Sequence, residues 1–126
     1  MKIIESYPPN IKEIRDNFNV TGLTIYAYGD TIYNPSGELI SKPLLEHERI
    51  HSKQQINPEE WWIKYLKDDT FRLEQEIEAF QRQYRVAKSI NKRQSHEYLK
   101  ELAENLSGDL YGNILTYFEA LKIIKS

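Results

Sequence analysis

The sequence predicts an α+β fold in which a small N-terminal β-sheet or hairpin precedes four to five helices. β-Branched and aromatic residues cluster between residues 23 and 33 around a Gly-Asp turn, as in a hairpin. From Pro43 almost to the last residue, apolar positions recur with helical spacing. The chain has 126 residues, 40% of them hydrophobic, which suits one modest core. We therefore expect a single domain over residues 1–126.

The N-terminal third is predicted to contain short extended segments and one brief helix. Asn10 follows two prolines and can cap a helix. Gly29 and Asp30 form a tight turn between two strands, and residues 34–37 are a further turn signal. The predicted elements are an extended piece at 3–7, a helix at 10–18, strands at 23–28 and 31–33, and another extended piece at 37–41.

The remaining chain is predicted to be helical, with Pro43 in the first turn of its first helix. Breaks are expected at polar or turn-forming residues, namely 57–58, 67–69, 91–95 and 107–108. In the last two helices, apolar residues at helical spacing are expected to face the core: Leu99, Leu102 and Leu106, then Ile114, Phe118 and Leu121.

Composition excludes several classes of function. The net charge is only −2 and acidic and basic residues are interleaved, so nucleic-acid binding has no electrostatic support. Cysteine is absent, which leaves histidine and carboxylate as the strong metal ligands. The N-terminal apolar run is too short for a signal peptide, and no stretch is long enough to span a bilayer. We expect a soluble, cytoplasmic protein without a membrane partner, and the sequence does not predict its oligomeric state.

Residues 47–51 read HERIH, an HExxH motif. Two histidines four residues apart on a helix point the same way and can share one ion. At about 100° per residue, His47, Glu48 and His51 lie on one face, opposite Arg49 and Lys53. The motif also arises by chance, but two of the three histidines in the chain belong to it. Without a metal, an inward pair of histidines would need other partners for its nitrogens.

A catalytic zinc needs a third protein ligand and an open position for water. The helix predicted over residues 70–90 offers Glu74, Glu76 and Glu78. Glu76 shares its helical phase with the apolar residues of the stripe, whereas Glu74 and Glu78 lie on the polar side, near basic residues such as Arg82. A carboxylate on a core face is costly to bury unless a metal compensates it. The phase favours Glu76 over Glu78 as third ligand, and the alternative for Glu76 is a position at the edge of the stripe that reaches water.

The HExxH motif and the downstream Glu76-Ile77-Glu78-Ala79 resemble the gluzincin group of zinc metallopeptidases. In that group the third ligand is the first glutamate of an ExxA-like motif, which Glu76 and Ala79 match. Residues 28–33 and 47–55 look like the very small peptidase-like proteins of bacteriophages. The resemblance covers roughly residues 23–85. It implies a zincin-like metallopeptidase domain, and the host cytoplasm as location if the protein is phage-encoded.

The chain departs from that family in two respects. Phe80 stands where larger gluzincins often have an aspartate, so the partner that orients His47 or His51 must come from elsewhere, such as a backbone carbonyl. No residue matches a motif for stabilising the oxyanion. Four residues beyond the metal helices are conceivable, and none is assigned: Tyr84, His96, Tyr98 and Tyr111. For His96 the favoured interpretation is an exposed position in the first turn of a helix, without a catalytic role.

The sequence thus predicts a zinc-dependent peptidase in which Zn²⁺ is bound by His47, His51 and Glu76 and activates a water, with Glu48 as general base. The resemblance implies that a peptide or protein substrate pairs with a sheet edge, at residues 31–33 or residues 38–40. One alternative is a zincin-like scaffold that binds zinc without turnover. Another is a metal-free interaction module anchored by Trp61, Trp62 and Tyr65, although core packing is the favoured interpretation of these aromatics.

Overall fold

A computed structural model describes all 126 residues and contains three short strands and six helices. In chain order they are β1 (Lys2–Ile4), α1 (Ile11–Asn17), β2 (Tyr26–Tyr28), β3 (Thr31–Tyr33), α2 (Lys42–Gln54), α3 (Pro58–Lys67), α4 (Asp69–Ile90), α5 (Ser95–Leu106) and α6 (Tyr117–Lys125), with one 3₁₀ turn at Asp109–Tyr111 before α6. This confirms the predicted α+β class with a small sheet and five helices after it. None of the helices combines the length and apolarity needed to cross a bilayer.

The sheet has the order β1-β3-β2, with β1 parallel and β2 antiparallel to β3. Gly29, at φ 61°, forms the turn that joins β2 to β3, as predicted. Because β3 is paired on both sides, residues 31–33 are not a free edge, and that expectation was wrong. Residues 38–41 form no strand, so the other predicted edge is absent as well. The edge that lies beside the long helices is β2.

Side-chain caps explain why the helices begin where the sequence predicted breaks. Asn57 accepts a hydrogen bond from the Glu60 backbone N–H at 3.1 Å, and Asp68 accepts one from Phe71 at 2.9 Å. Each cap satisfies a backbone donor that has no partner within the helix. The chain can therefore turn sharply between α2, α3 and α4, and α4 folds back against α2.

Two apolar clusters form the core. One lies between α4, α5, the 3₁₀ turn and α6, and the other lies between α1, β2 and α3. Leu99, Leu102 and Leu106 are buried in the first, as predicted. The prediction for α6 was wrong for Ile114 and Phe118, because that helix begins only at Tyr117 and Phe118 is 78% exposed, whereas Leu121 packs against the core as predicted. Ala120 and Ile124 carry its buried face instead.

Candidate metal centre

The site is formed where α2 and α4 face each other. α2 begins at the Ser41 cap, has Pro43 in its first turn, and buries His47, Glu48 and His51 on the side that faces α4. Opposite them, α4 buries Glu76, which is 3% exposed. Ala79, one turn further along α4, is fully buried. Its small side chain is consistent with the close approach of the two helices.

Three donor atoms meet at one point. The distance between His47 Nε2 and His51 Nε2 is 3.2 Å. Glu76 Oε1 lies 3.0 Å from the first nitrogen and 3.1 Å from the second. Despite these short distances, Glu76 Oε1 receives no hydrogen bond of acceptable geometry, although it is fully shielded from solvent. A buried oxygen without a donor is rare in folded proteins.

The types and spacing of the donor atoms fit a divalent metal such as zinc. Four ligands at about 2.0–2.1 Å in a tetrahedron are roughly 3.3 Å apart, close to the separations seen among the three atoms. Two imidazoles and one carboxylate are also a known ligand set of catalytic zinc, with a fourth position left for water. The unpartnered oxygen of Glu76 would gain a cation as its partner. His47, His51 and Glu76 are thus the residues that can hold a metal.

The charges in the site are strongly coupled. Burial opposes ionisation of both groups, yet the carboxylate of Glu76 raises the pKa of His51 to about 9. Burial raises the pKa of the Glu76 carboxyl, but the interactions with His51 and His47 together outweigh it and lower that pKa. A proton on His51 therefore compensates Glu76 when no cation does. Metal binding would displace this proton, as expected when a cation and a proton compete for the same lone pairs.

Each of the three side chains also has a hydrogen-bond partner at an atom that does not face the other two. His47 Nδ1 lies 2.7 Å from Gln83 Oε1, and His51 Nδ1 lies 2.8 Å from Gln54 Oε1. The Tyr65 hydroxyl donates to Glu76 Oε2 at 2.5 Å, which leaves only Oε1 turned toward the histidines. Sequence reasoning missed these three partners. Of the three, only Gln83 could have been inferred from the sequence, because it lies seven residues after Glu76 and so has the same helical phase.

Glu48 lies beside the histidines but has a different environment. Its carboxylate receives no hydrogen bond from the protein, and it lines a cavity of about 210 Å³ together with His47, His51 and Glu76. Burial raises the pKa of Glu48, although the charges of the two histidines oppose this effect. A buried carboxylate with a raised pKa, open to a cavity and free of partners, is suited to accept a proton.

The rest of the cavity wall is mainly apolar and includes Tyr111, which lies in the 3₁₀ turn. Burial and the charge of Glu76 raise the pKa of Tyr111 well above its usual value, so the hydroxyl remains a donor. The other three residues considered for the oxyanion do not line this cavity. Tyr84 packs in the α4–α5–α6 core, Tyr98 accepts a hydrogen bond from Gln83, and His96 is exposed.

Arg72 connects the wall of the cavity to α3. It is 4% exposed and donates at 2.7 Å both to the backbone oxygen of Leu110 and to that of Tyr65. It also pairs with Asp69, one turn earlier on α4. These bonds tie the segment just before Tyr111 to the end of α3 that carries Tyr65, a role that the sequence did not reveal.

The remaining predicted residues are also accounted for. Glu74 and Glu78 are exposed, as their phase suggested. Glu78 accepts from Gln54, whereas Arg82 pairs with Glu46 on α2 instead of with Glu78. Trp61, Trp62 and Tyr65 are buried in the core beneath α2, which favours their packing role over an interface.

The outer edge of β2 is partly covered by side chains. In an antiparallel pair, alternate residues turn their backbone groups away from the partner strand. The Gln55 amide uses two such groups, accepting from Gly29 N–H at 2.7 Å and donating to the Ala27 carbonyl at 2.9 Å. Trp62 Nε1 donates to the same carbonyl at 3.0 Å. The edge is therefore closed from Ala27 toward the turn.

No protein-family model matches the chain, and neither a curated protein nor a solved structure matches it significantly. The geometry of the site is the basis for the function proposed next.

Proposed function

We propose that the protein is a zinc-dependent peptidase of the zincin-like, gluzincin kind, in which Zn²⁺ is bound by His47, His51 and Glu76. One observation supports this most directly: the three donor atoms lie within 3.2 Å of one another, and Glu76 Oε1 has no hydrogen-bond donor. A bound zinc supplies Lewis acidity, which lowers the pKa of water toward 7 and polarises a peptide carbonyl. We also propose that the protein is of the same kind as the very small phage-encoded peptidases that its sequence resembles.

In this function Glu48 is the general base. It accepts a proton from the attacking water and passes it to the leaving amine. Its carboxylate can do so because it faces the cavity and receives no hydrogen bond from the protein. A purely structural zinc site would not need a buried carboxylate at this position. Tyr111 is the residue placed to donate a hydrogen bond to the oxyanion, since it is the one of the four tyrosine and histidine candidates that lines the cavity.

The substrate is proposed to be an extended peptide that pairs with β2. Ile25, Tyr26 and Ala27 line the cavity beside Glu48, whereas Gln55 covers the edge beyond Ala27. Pairing is thus available only along the first part of β2 and the residues before it. Backbone hydrogen bonds there would hold a peptide across the metal ligands.

The deciding experiment combines metal analysis with peptide digestion. Protein purified without chelator is expected to contain one zinc per chain and to cleave members of a peptide library, as read by mass spectrometry. Glu48→Gln keeps the size of the side chain but removes its basicity, so the variant should retain zinc and lose about 10²–10⁴-fold in rate.

Three outcomes contradict parts of this proposal. A wild-type chain that binds no zinc would overturn the metal function itself. Zinc-loaded protein that cleaves no peptide would support the scaffold without turnover. Equal cleavage by wild type and Glu48→Gln would rule out Glu48 as the base.

A further inference from the structure

Both histidines of the site are held at Nδ1 by the oxygen of a glutamine amide. Gln83 Oε1 lies 2.7 Å from Nδ1 of His47, and Gln54 Oε1 lies 2.8 Å from Nδ1 of His51. An amide oxygen can only accept a hydrogen bond, so in this arrangement each Nδ1 carries the proton. In a neutral imidazole the lone pair is then on Nε2, the atom that faces Glu76 Oε1 in both cases.

The orientation of the Gln54 amide is determined by its other contacts. Gln54 Nε2 donates to the Glu78 carboxylate at 2.7 Å and to the Gln75 backbone oxygen at 3.0 Å. Both of these partners are acceptors only, so a reversed amide would place oxygen against oxygen. The Gln54 oxygen is therefore the atom that faces His51.

The Gln83 amide has a more adaptable partner. Gln83 Nε2 donates to the Tyr98 hydroxyl at 2.7 Å, and Gln83 is 6% exposed, so its amide is enclosed by protein. A hydroxyl can rotate and either accept or donate. The two glutamines therefore differ in how they would respond to replacement by glutamate.

We propose that Gln54 and Gln83 are positioning residues that select the Nδ1–H tautomer of His51 and His47 and thereby direct both Nε2 lone pairs at a bound divalent metal. The inference rests on the proposed metal function and adds the determinants of ligand geometry to it. Partners of this kind orient the imidazoles, and their removal typically reduces metal affinity by about 10–100-fold. A neutral amide polarises imidazole less than a carboxylate does. A carboxylate in place of the amide is therefore expected to increase the affinity of the imidazole for the metal.

The test measures Zn²⁺ and Co²⁺ dissociation constants of the full chain and its variants by competition with a chromophoric chelator. Gln54→Ala and Gln83→Ala are expected to weaken binding about 10–100-fold each. Gln81→Ala is the matched control on α4, since the Gln81 amide donates to the backbone oxygen of Ile123, away from the site. Its metal affinity should equal that of the wild type.

Replacement by glutamate separates positioning from packing. Gln83→Glu should restore wild-type affinity or exceed it, because a carboxylate still accepts from His47 Nδ1 and the Tyr98 hydroxyl can turn to donate to it. Gln54→Glu should fail to restore affinity, because it would set one carboxylate against that of Glu78 and against the Gln75 backbone oxygen. Equal behaviour of the two glutamate variants would contradict the proposal.

A spectrum of the zinc-loaded wild type tests the tautomer without any substitution. Long-range ¹H–¹⁵N correlations should show a protonated Nδ1 and a metal-bound Nε2 in both histidines. Metal on either Nδ1, or alanine variants that bind zinc like the wild type, would overturn the inference while the proposed metal function stands. A wild type that binds neither ion would overturn both, and bound zinc without hydrolysis would overturn only the peptidase.

Discussion

Glu76 and Glu78 lie two positions apart on α4 and have opposite environments. Glu76 is enclosed between the histidines and Tyr65, whereas Glu78 is exposed and accepts a hydrogen bond from Gln54. Glu76→Ala should therefore abolish high-affinity zinc binding, and Glu78→Ala should change the dissociation constant by less than about tenfold. Titration of the two purified variants with zinc checks this. Loss of binding in Glu78→Ala, with Glu76→Ala unaffected, would reassign the third ligand.

The hydroxyl of Tyr111 provides a second test at the level of single residues. Tyr111→Phe removes one hydrogen-bond donor from the cavity wall and keeps the ring in its apolar surroundings. We expect the kcat of peptide hydrolysis to fall about 10²–10³-fold, as when one oxyanion donor is lost, with zinc content unchanged. Tyr84→Phe is the control, because Tyr84 is buried outside the cavity. A Tyr111→Phe variant with full kcat would exclude this role.

The site divides into residues that could be placed from sequence and residues that could not. His47, Glu48 and His51 belong to one helix, so their relative directions follow from 3.6-residue periodicity, and the phase of Glu76 singled it out on the second helix. Gln54, Tyr65 and Tyr111 come from other elements or lie outside the apolar stripe. Their roles depend on how α2, α3 and the 3₁₀ turn pack around α4, which no local pattern encodes.

At the scale of elements, the metal would join α2 to α4. Two ligands come from one helix and one from the other, so a bound ion stabilises the folded chain by linkage. At a free zinc concentration of 100 times the dissociation constant, the gain is about 2.7 kcal/mol. Thermal unfolding of chelated and zinc-loaded protein should therefore give a clearly lower Tm for the chelated form. An identical Tm, with metal loss verified, would mean that zinc does not bind preferentially to the folded state.

Arg72 is the other connection between elements near the site. Arg72→Met keeps much of the apolar stem but leaves the backbone oxygens of Leu110 and Tyr65 without their donor. Each buried acceptor left in this way costs about 1–3 kcal/mol, so the variant should be destabilised in urea unfolding by at least ~2 kcal/mol. Arg85→Met, at an exposed position of the same helix, should change stability by less than about 0.5 kcal/mol. Equal effects would argue against a structural role for the Arg72 bonds.

The element boundaries were largely predictable, and the exceptions have physical causes. Asn57 and Asp68 mark helix starts because their side chains accept from backbone N–H groups, a local chemistry that the sequence displays. The parallel pairing of β1 with β3 is not local, so the sequence could not show that β3 is central. The apolar face of α6 was predicted wrongly because the helical phase was counted from Ile114, whereas residues 112–115 are not helical.

At the scale of the whole molecule, the α4–α5–α6 core is a cluster distinct from the aromatic one around α3, and it reaches the site only through Phe80 and Tyr111. Leu106 is completely buried in the former. Leu106→Ala should lower the free energy of unfolding by about 2–5 kcal/mol, measured by urea denaturation. Zinc affinity of the folded variant should stay within about threefold of the wild type, because Leu106 itself does not line the cavity. A large loss of affinity would show that the two cores are coupled.

Gln55 has a consequence for how copies of the protein coexist in solution. An uncovered edge strand can recruit a strand from another copy and so begin aggregation. By bonding to Gly29 and Ala27, the Gln55 amide occupies the positions that an intruding strand would use, and it does so from the end of the helix that carries both histidines. The Gln55 amide thus makes the turn end of β2 a poor template for a strand of another copy.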